Sequence, residues 1–301
     1  MVTSLAKVAR GARQATRLIR QFRPHVTFVT GGFVAAPVVW ASWRAGVPVF
    51  IYLPDLEPGL AIARLSRFAT KVAVSFPETA DYFPGKAVVT GYPVRQEIRT
   101  AATQPQEARS RLGLAPDLPV VVVFGGSRGA RSINQALAAI LPQLLPRCQV
   151  MHVSGTLDWP EVAGRVHDLP AGLSARYHAY PYLHQELPLA FAAANLAVAR
   201  AGAATLGEFP AASLPGVLVP YPHSGQFQDA NADFLARRGA AVKLPDAALA
   251  EELLPTLLAL LDDPARLRAM RRAMQAIDRP DAAANIAREL VALARVERVQ
   301  A

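Results

Sequence analysis

Apolar residues come in short runs along this chain, each followed by a turn and then by a longer stretch with apolar positions at helical spacing. The runs at 26–30, 48–53, 71–75 and 87–90 make one set; those at 120–124, 149–153, 176–180, 196–199, 217–220 and 241–244 make a second. They are rich in valine and mostly apolar on both faces, as in buried parallel strands covered by helices. Strand, turn and helix in alternation predict an α/β fold with parallel sheets. The polar, proline-bearing segments 100–106 and 115–119 flank a short helix ending at Gly113 and interrupt the rhythm between the two sets. Two Rossmann-like domains are therefore expected, at 1–100 and 101–280, followed by a helix over 281–301 free to pack back on the first domain.

Composition narrows the classes. With 301 residues, 52% hydrophobic and 18% charged, the chain is built to bury a sizeable core and is not a disordered segment. Cys148 is the one cysteine, so no internal disulfide forms. No His/Cys cluster has metal-ligand spacing, so no metal and no cofactor are expected. Residues 24–43 carry no Asp, Glu, Lys or Arg, yet Pro24, Gly31, Gly32 and Pro37 break this segment into strand, glycine turn and helix rather than a membrane span. The start is basic throughout and lacks the apolar region of a signal peptide.

The net charge of +9 is unevenly placed: residues 1–76 hold ten Lys or Arg against only Asp55 and Glu57. Such a one-sided surface suits an anionic partner, whether a phospholipid surface, a pyrophosphate or a nucleic acid. In the first helix Lys7, Arg10, Arg13, Arg17 and Arg20 share one side, while Leu5, Val8, Ala15, Ile19 and Phe22 share the other. A helix packed on a sheet accounts for the apolar side, and an anionic lipid surface for the basic one; the two are compatible.

Four turns carry candidate chemistry. The run Val120 to Phe124 leads into Gly125-Gly126-Ser127-Arg128-Gly129-Ala130 and then a helix. Glycines let backbone approach a ligand, and a helix N-terminus offers free N–H groups to a phosphate; a tight strand–helix connection is the plainer alternative. The glycine spacing is not the dinucleotide fingerprint. Gly31 and Gly32 follow an earlier strand in the same way and suit either an acceptor's phosphate or a packing turn. After 196–199 comes Arg200-Ala201-Gly202-Ala203-Ala204-Thr205-Leu206-Gly207-Glu208, where Glu208 either reaches a ribose diol or is an exposed helix residue. After 217–220 come Tyr221-Pro222-His223 and then Gln226, Gln228 and Asn231, whose amides suit sugar hydroxyls. Three of these turns belong to one sheet, at the strand ends where open α/β sheets bind ligands.

On these motifs the chain resembles the bacterial lipid II-forming N-acetylglucosaminyltransferases, a GT-B group of glycosyltransferase family 28. Gly31-Gly32-Phe33-Val34 is similar to the family's acceptor-side glycine motif, and Gly91-Tyr92-Pro93-Val94-Arg95 to its interdomain Gly-Asn-Pro-Val-Arg. The turn Gly125 to Ala130 is similar to Gly-Gly-Ser-Gln-Gly-Ala at the donor phosphates. Glu208 matches the ribose-binding glutamate; Gln228 and Asn231 match part of the segment around the sugar. The resemblance implies a GT-B fold of two Rossmann-like domains, the first N-terminally truncated because the family's opening Gly-Gly-Thr-Gly-Gly-His loop has no counterpart here. It implies metal-free, inverting transfer of N-acetylglucosamine from UDP-N-acetylglucosamine to a lipid-pyrophosphate-linked muramyl acceptor, at the cytoplasmic face of the cell membrane and without nucleic acid. Donor contacts fall on Arg95, Gly125, Gly126, Ser127, Arg128, Gly129, Gly202, Ala203, Glu208, Gln228 and Asn231, with Gly31 and Gly32 on the acceptor side. Departures are Tyr52-Leu53-Pro54-Asp55 for His-Glu-Gln-Asn, Tyr92 for Asn, Ala201 for Ser, and Phe227 for Gln or His. Asp55 and His223 remain as candidate bases. Alternatives are a non-catalytic UDP-sugar-binding protein and a GT-B transferase acting on another lipid acceptor.

Overall fold

The computed structural model describes residues 2–126, 129–165, 169–170, 172–223 and 227–300, with side chains from Arg10 to Arg295. The chain forms two compact units: residues 1–93 with 279–301, and residues 94–278.

The first unit opens with α1 (Val2–Phe22) and continues through β1 (Thr27–Val29), α2 (Ala35–Arg44), β2 (Val49–Leu53), α3 (Leu60–Leu65), β3 (Lys71–Val74) and β4 (Ala87–Val89). The strands make a parallel sheet in the order β1-β2-β3-β4. Its central strands β2 and β3 are buried on both faces: Val49, Ile51, Val72 and Val74 face Val39, Ile62 and Phe83, while Phe50, Tyr52 and Ala73 face the C-terminal helix through Ile286 and Leu293. Lys71 bonds Glu289 (2.6 Å) and Asn285 Nδ2 donates to the Thr90 carbonyl (3.2 Å), fixing that helix along the sheet.

The second unit runs α4 (Gln96–Ala102), α5 (Pro105–Arg111), β5 (Val120–Phe124), α6 (Arg131–Leu144), β6 (Gln149–Val153), α7 (Trp159–Arg165), β7 (Tyr177–Tyr180), α8 (Leu187–Ala193), β8 (Leu196–Ala199) and α9 (Thr205–Ala212). It continues with β9 (Gly216–Leu218), α10 (Phe227–Arg237), β10 (Ala241–Lys243), α11 (Leu249–Leu261) and α12 (Pro264–Ile277); α13 (Ala282–Gln300) is the C-terminal helix of the first unit. All six strands are parallel, in the order β10-β9-β8-β5-β6-β7. Val120 to Val123 have no exposed surface. Fully burying such a side chain contributes roughly 1.5–3 kcal/mol relative to leaving it in water. The order reverses between β5 and β8, which makes their C-terminal ends a topological switch point.

The ten expected strands are all present, most shorter by one or two residues. The expected meeting point near residue 100 is corrected to 93/94. Helix α4 belongs to the second unit because Ile98 is fully buried and the helix packs on α8 and α9, and because Arg99 forms a bidentate pair with Asp278 (2.7 and 2.9 Å). The end at 280 is likewise corrected to 278. In α1, Ala15 is buried and Gly11 sits against Pro37 of α2, but Phe22 is 82% exposed. The helix meets α2 at those earlier turns and leaves its last residue uncovered, so Phe22 does not join the apolar side that packs.

Candidate active site

Within the second unit, the turns after β5, β8 and β9 lie on adjacent strands and frame an open cavity of about 720 Å³. Gly125, Gly126, Gly129, Gly202, His223 and Gln228 line it. Gly125 and Gly129 are fixed by packing. A Cβ on Gly125 would fall 2.2 Å from the Ala130 nitrogen, and one on Gly129 (φ +76°) 2.4 Å from the Ser154 carbonyl oxygen. Gly126 differs: its φ is +80°, but a Cβ there would meet nothing within 4 Å. Its left-handed backbone thus lines the cavity without packing against any described residue. Ser127 and Arg128 lie outside the described residues, as does Gln226.

The turn delivers the chain into α6, whose N-cap position is Ala130 and whose first turn holds no acid. Ala130 has no side-chain acceptor for the helix's opening N–H groups, and Arg131 and Ser132 follow it along the cavity wall. A helix start that its N-cap residue leaves without a side-chain acceptor, beside two glycines and with the helix dipole adding to it, is suited to an anion.

Glu208, in the first turn of α9, is not an exposed helix residue. Its side chain is 18% exposed, with Arg95 Nη2 3.7 Å from Oε1. Burial raises its pKa above the ordinary glutamate value, while the Arg95 charge pulls it down. A shielded carboxylate of this kind accepts hydroxyl hydrogen bonds without competition from bulk water. Arg95 itself lines a neighbouring groove bounded by α4, α5 and α8 rather than the main cavity.

The carboxamides divide. Gln228 accepts from the Tyr221 N–H (2.9 Å) through Oε1 and lines the cavity. Asn231 is fully buried and donates to the Ala201 carbonyl (3.0 Å). One of its amide hydrogens thereby holds the β8–α9 turn that carries Gly202 and Ala203. Ala203 is half-buried and its carbonyl accepts from the Leu206 N–H (3.1 Å).

Arg200 is a wall residue that sequence reasoning passed over. It donates to the carbonyls of Val219 and Pro220 (both 3.3 Å), to Ser132 Oγ (2.7 Å) and to Asp246, while Tyr221 lies under its guanidinium. One arginine thus ties the ends of β8 and β9 to the start of α6. A cation immediately after an all-apolar strand was the available signal; Asp246, far along the chain, offered none.

Gly31 and Gly32 (φ +101° and +83°) follow β1 in the first unit, and Asp55, half-buried, follows β2 there. His223 is exposed, its ring edge-on to Tyr221. Among the described residues no group of three His, Cys, Asp or Glu is placed to hold a metal ion.

Family models match this architecture over both units. The glycosyltransferase family 28 C-terminal domain covers residues 120–286, and the N-terminal domain of the same family covers residues 1–74. The chain belongs to glycosyltransferase family 28. Among its relatives is the UDP-N-acetylglucosamine–N-acetylmuramyl-(pentapeptide) pyrophosphoryl-undecaprenol N-acetylglucosamine transferase of Roseiflexus sp. (strain RS-1). It is 42% identical over 95% of this chain and 73% of its own length. The protein of the same name from Desulforudis audaxviator is 39% identical, over 93% and 77%. Among solved structures, MurG of Acinetobacter baumannii superposes with a TM-score of 0.76 at 27% identity, covering 94% of this chain and 79% of that one. The UDP-GlcNAc 2-epimerase of Neisseria meningitidis shares the fold at a TM-score of 0.67 and 13% identity.

Proposed function

We propose that this family 28 glycosyltransferase transfers N-acetylglucosamine from UDP-N-acetylglucosamine to a lipid-pyrophosphate-linked muramyl acceptor, the step that makes lipid II in peptidoglycan synthesis. The carrying observation is the convergence at the β5/β8 switch point of an open glycine turn on an uncapped helix start with a shielded carboxylate one strand away. The donor's pyrophosphate sits on the Gly125–Ala130 turn and the N-terminus of α6, the ribose diol on Glu208, and the sugar near Gln228. An acceptor hydroxyl attacks the anomeric carbon, the bond to the UDP oxygen breaks, and a base takes the hydroxyl proton. Negative charge grows on the departing phosphate, so the helix start acts where catalysis most needs it, while Arg95 stands beside Glu208 (3.7 Å). Of the two candidate bases, His223 lies on the donor cavity wall and Asp55 in the other unit.

The acceptor's lipid is met at a membrane surface. None of the described helices is long and apolar enough to cross a membrane. Helices α1 and α2 instead present an open groove lined by Arg13, Thr16, Arg17, Arg20, Gln21 and Trp40, with Leu18, Phe22 and Trp43 exposed. Cations with apolar residues among them suit an anionic bilayer, at about 1 kcal/mol per cation near the surface. The test presents the acceptor in anionic or neutral vesicles with labelled UDP-N-acetylglucosamine. Label is expected in the lipid fraction, most on anionic vesicles, falling with salt and on replacing Arg13, Arg17 and Arg20 by Gln. No transfer contradicts the reading; transfer indifferent to lipid charge and to these substitutions removes α1 from it.

A further inference from the structure

Behind the Gly125–Ala130 turn runs a buried chain of polar groups, none of which lines the cavity described above. Asn134, one turn into α6, gives both hydrogens of its amide nitrogen away, to the Ser154 carbonyl (2.9 Å) and to Asp158 Oδ2 (2.8 Å). Its Oδ1 faces His152 Nε2 (2.9 Å), and His152 Nδ1 faces the Tyr177 hydroxyl (2.7 Å). Asn134, His152, Ser154 and Tyr177 are all buried.

Chemistry fixes every proton in this chain. A carbonyl and a carboxylate only accept, so the Asn134 nitrogen must face them and its oxygen must face His152. His152 Nε2 is therefore the donor. The ring is buried and held neutral, its pKa pushed down to about 4, so Nδ1 is bare and the Tyr177 hydroxyl donates to it. The order runs from Tyr177 to His152 to Asn134, and from there to Ser154 and Asp158.

The far end of the chain bears on the phosphate turn. The Ser154 carbonyl is the group that leaves no room for a side chain at Gly129. The Asn134 N–H closes the first helical hydrogen bond of α6 onto the Ala130 carbonyl (2.9 Å), at the other side of the same turn. Asn134 thus clamps the turn between the helix it opens and the strand end it leans on.

We infer that the Tyr177–His152–Asn134 relay is a positioning device for the donor's pyrophosphate, holding Gly129 and Ala130, where the turn enters α6, at the height where backbone N–H groups meet phosphate oxygens. The inference rests on the donor reading given above, and it assigns positioning roles to three side chains that touch no substrate.

The test compares UDP with uridine by calorimetry on the full chain, well below its melting temperature. Uridine lacks the phosphates, so misplacement of the turn weakens UDP alone, whereas general loosening of the fold weakens both. His152→Leu removes the donor to Asn134 and is expected to weaken UDP about tenfold, the value of one buried hydrogen bond, with uridine unchanged. His152→Gln puts an amide N–H where Nε2 stood and is expected to stay within about threefold of the parent, the lower range for one such bond. Tyr177→Phe keeps the ring's volume, serves if the leucine variant does not fold, and is expected to cost UDP about threefold by the same measure. Equal losses for UDP and uridine, no loss in His152→Leu, or a His152→Gln as impaired as His152→Leu would overturn the relay. A parent chain that binds no UDP would instead contradict the donor reading itself.

Discussion

Replacing Glu208 by alanine is expected to weaken UDP by about 10- to 100-fold, the range for a hydrogen bond to a charged acceptor. Inorganic pyrophosphate, which has no ribose, should bind as before. The contrast follows from placement: the carboxylate lies one strand away from the phosphate turn, shielded and beside Arg95. The pH dependence has a definite sign. Only the ionised carboxylate accepts from both ribose hydroxyls, and burial has raised its pKa. UDP affinity should therefore fall on acidification, beginning at higher pH than an exposed glutamate would give, and Glu208→Gln should flatten that limb. Calorimetry with the two ligands across pH reads both effects; equal losses for UDP and pyrophosphate would make Glu208 a structural residue.

Alanine at Gly126 and at Gly129 should fail in different ways. At Gly129 the new methyl meets the Ser154 carbonyl at 2.4 Å with φ at +76°, so backbone must move. Left-handed strain and overpacking together cost about 2–5 kcal/mol of stability. At Gly126 the methyl enters open space with φ at +80°, and the strain alone costs about 1–2 kcal/mol. Yet Gly126 lines the cavity wall where the proposed donor reading puts the phosphates. Thermal melts with UDP titrations should show Gly129→Ala as the less stable variant, and Gly126→Ala as a folded one that has lost most UDP affinity. A Gly126→Ala that binds UDP like the parent would reduce the turn to a tight connection between strand and helix.

The sheets were legible because their strands are valine-rich apolar runs bounded by turns; Val120–Phe124 and Leu196–Ala199 could be read to the residue. The outer residues Thr30, Ser75 and Thr90 fell outside the strands, since periodicity marks an apolar run and not the last ladder bond. The unit boundary was misplaced because α4 is mostly polar and attaches through Ile98, whose burial is a tertiary fact. Glycines and Glu208 could be named from motif spacing. That Asn231 holds the Ala201 carbonyl depends on where that carbonyl lies in space. The Arg200–Asp246 contact and the Tyr177–His152–Asn134 chain join different elements, and no local pattern announces them.

The most direct measurement is a calorimetric titration of the chain with UDP and with UDP-N-acetylglucosamine, in buffer with and without EDTA. With the donor held on backbone N–H groups and Glu208 and no metal, saturable one-to-one binding of both ligands is expected, unchanged by EDTA. No heat at millimolar nucleotide, or binding abolished by EDTA, would contradict it.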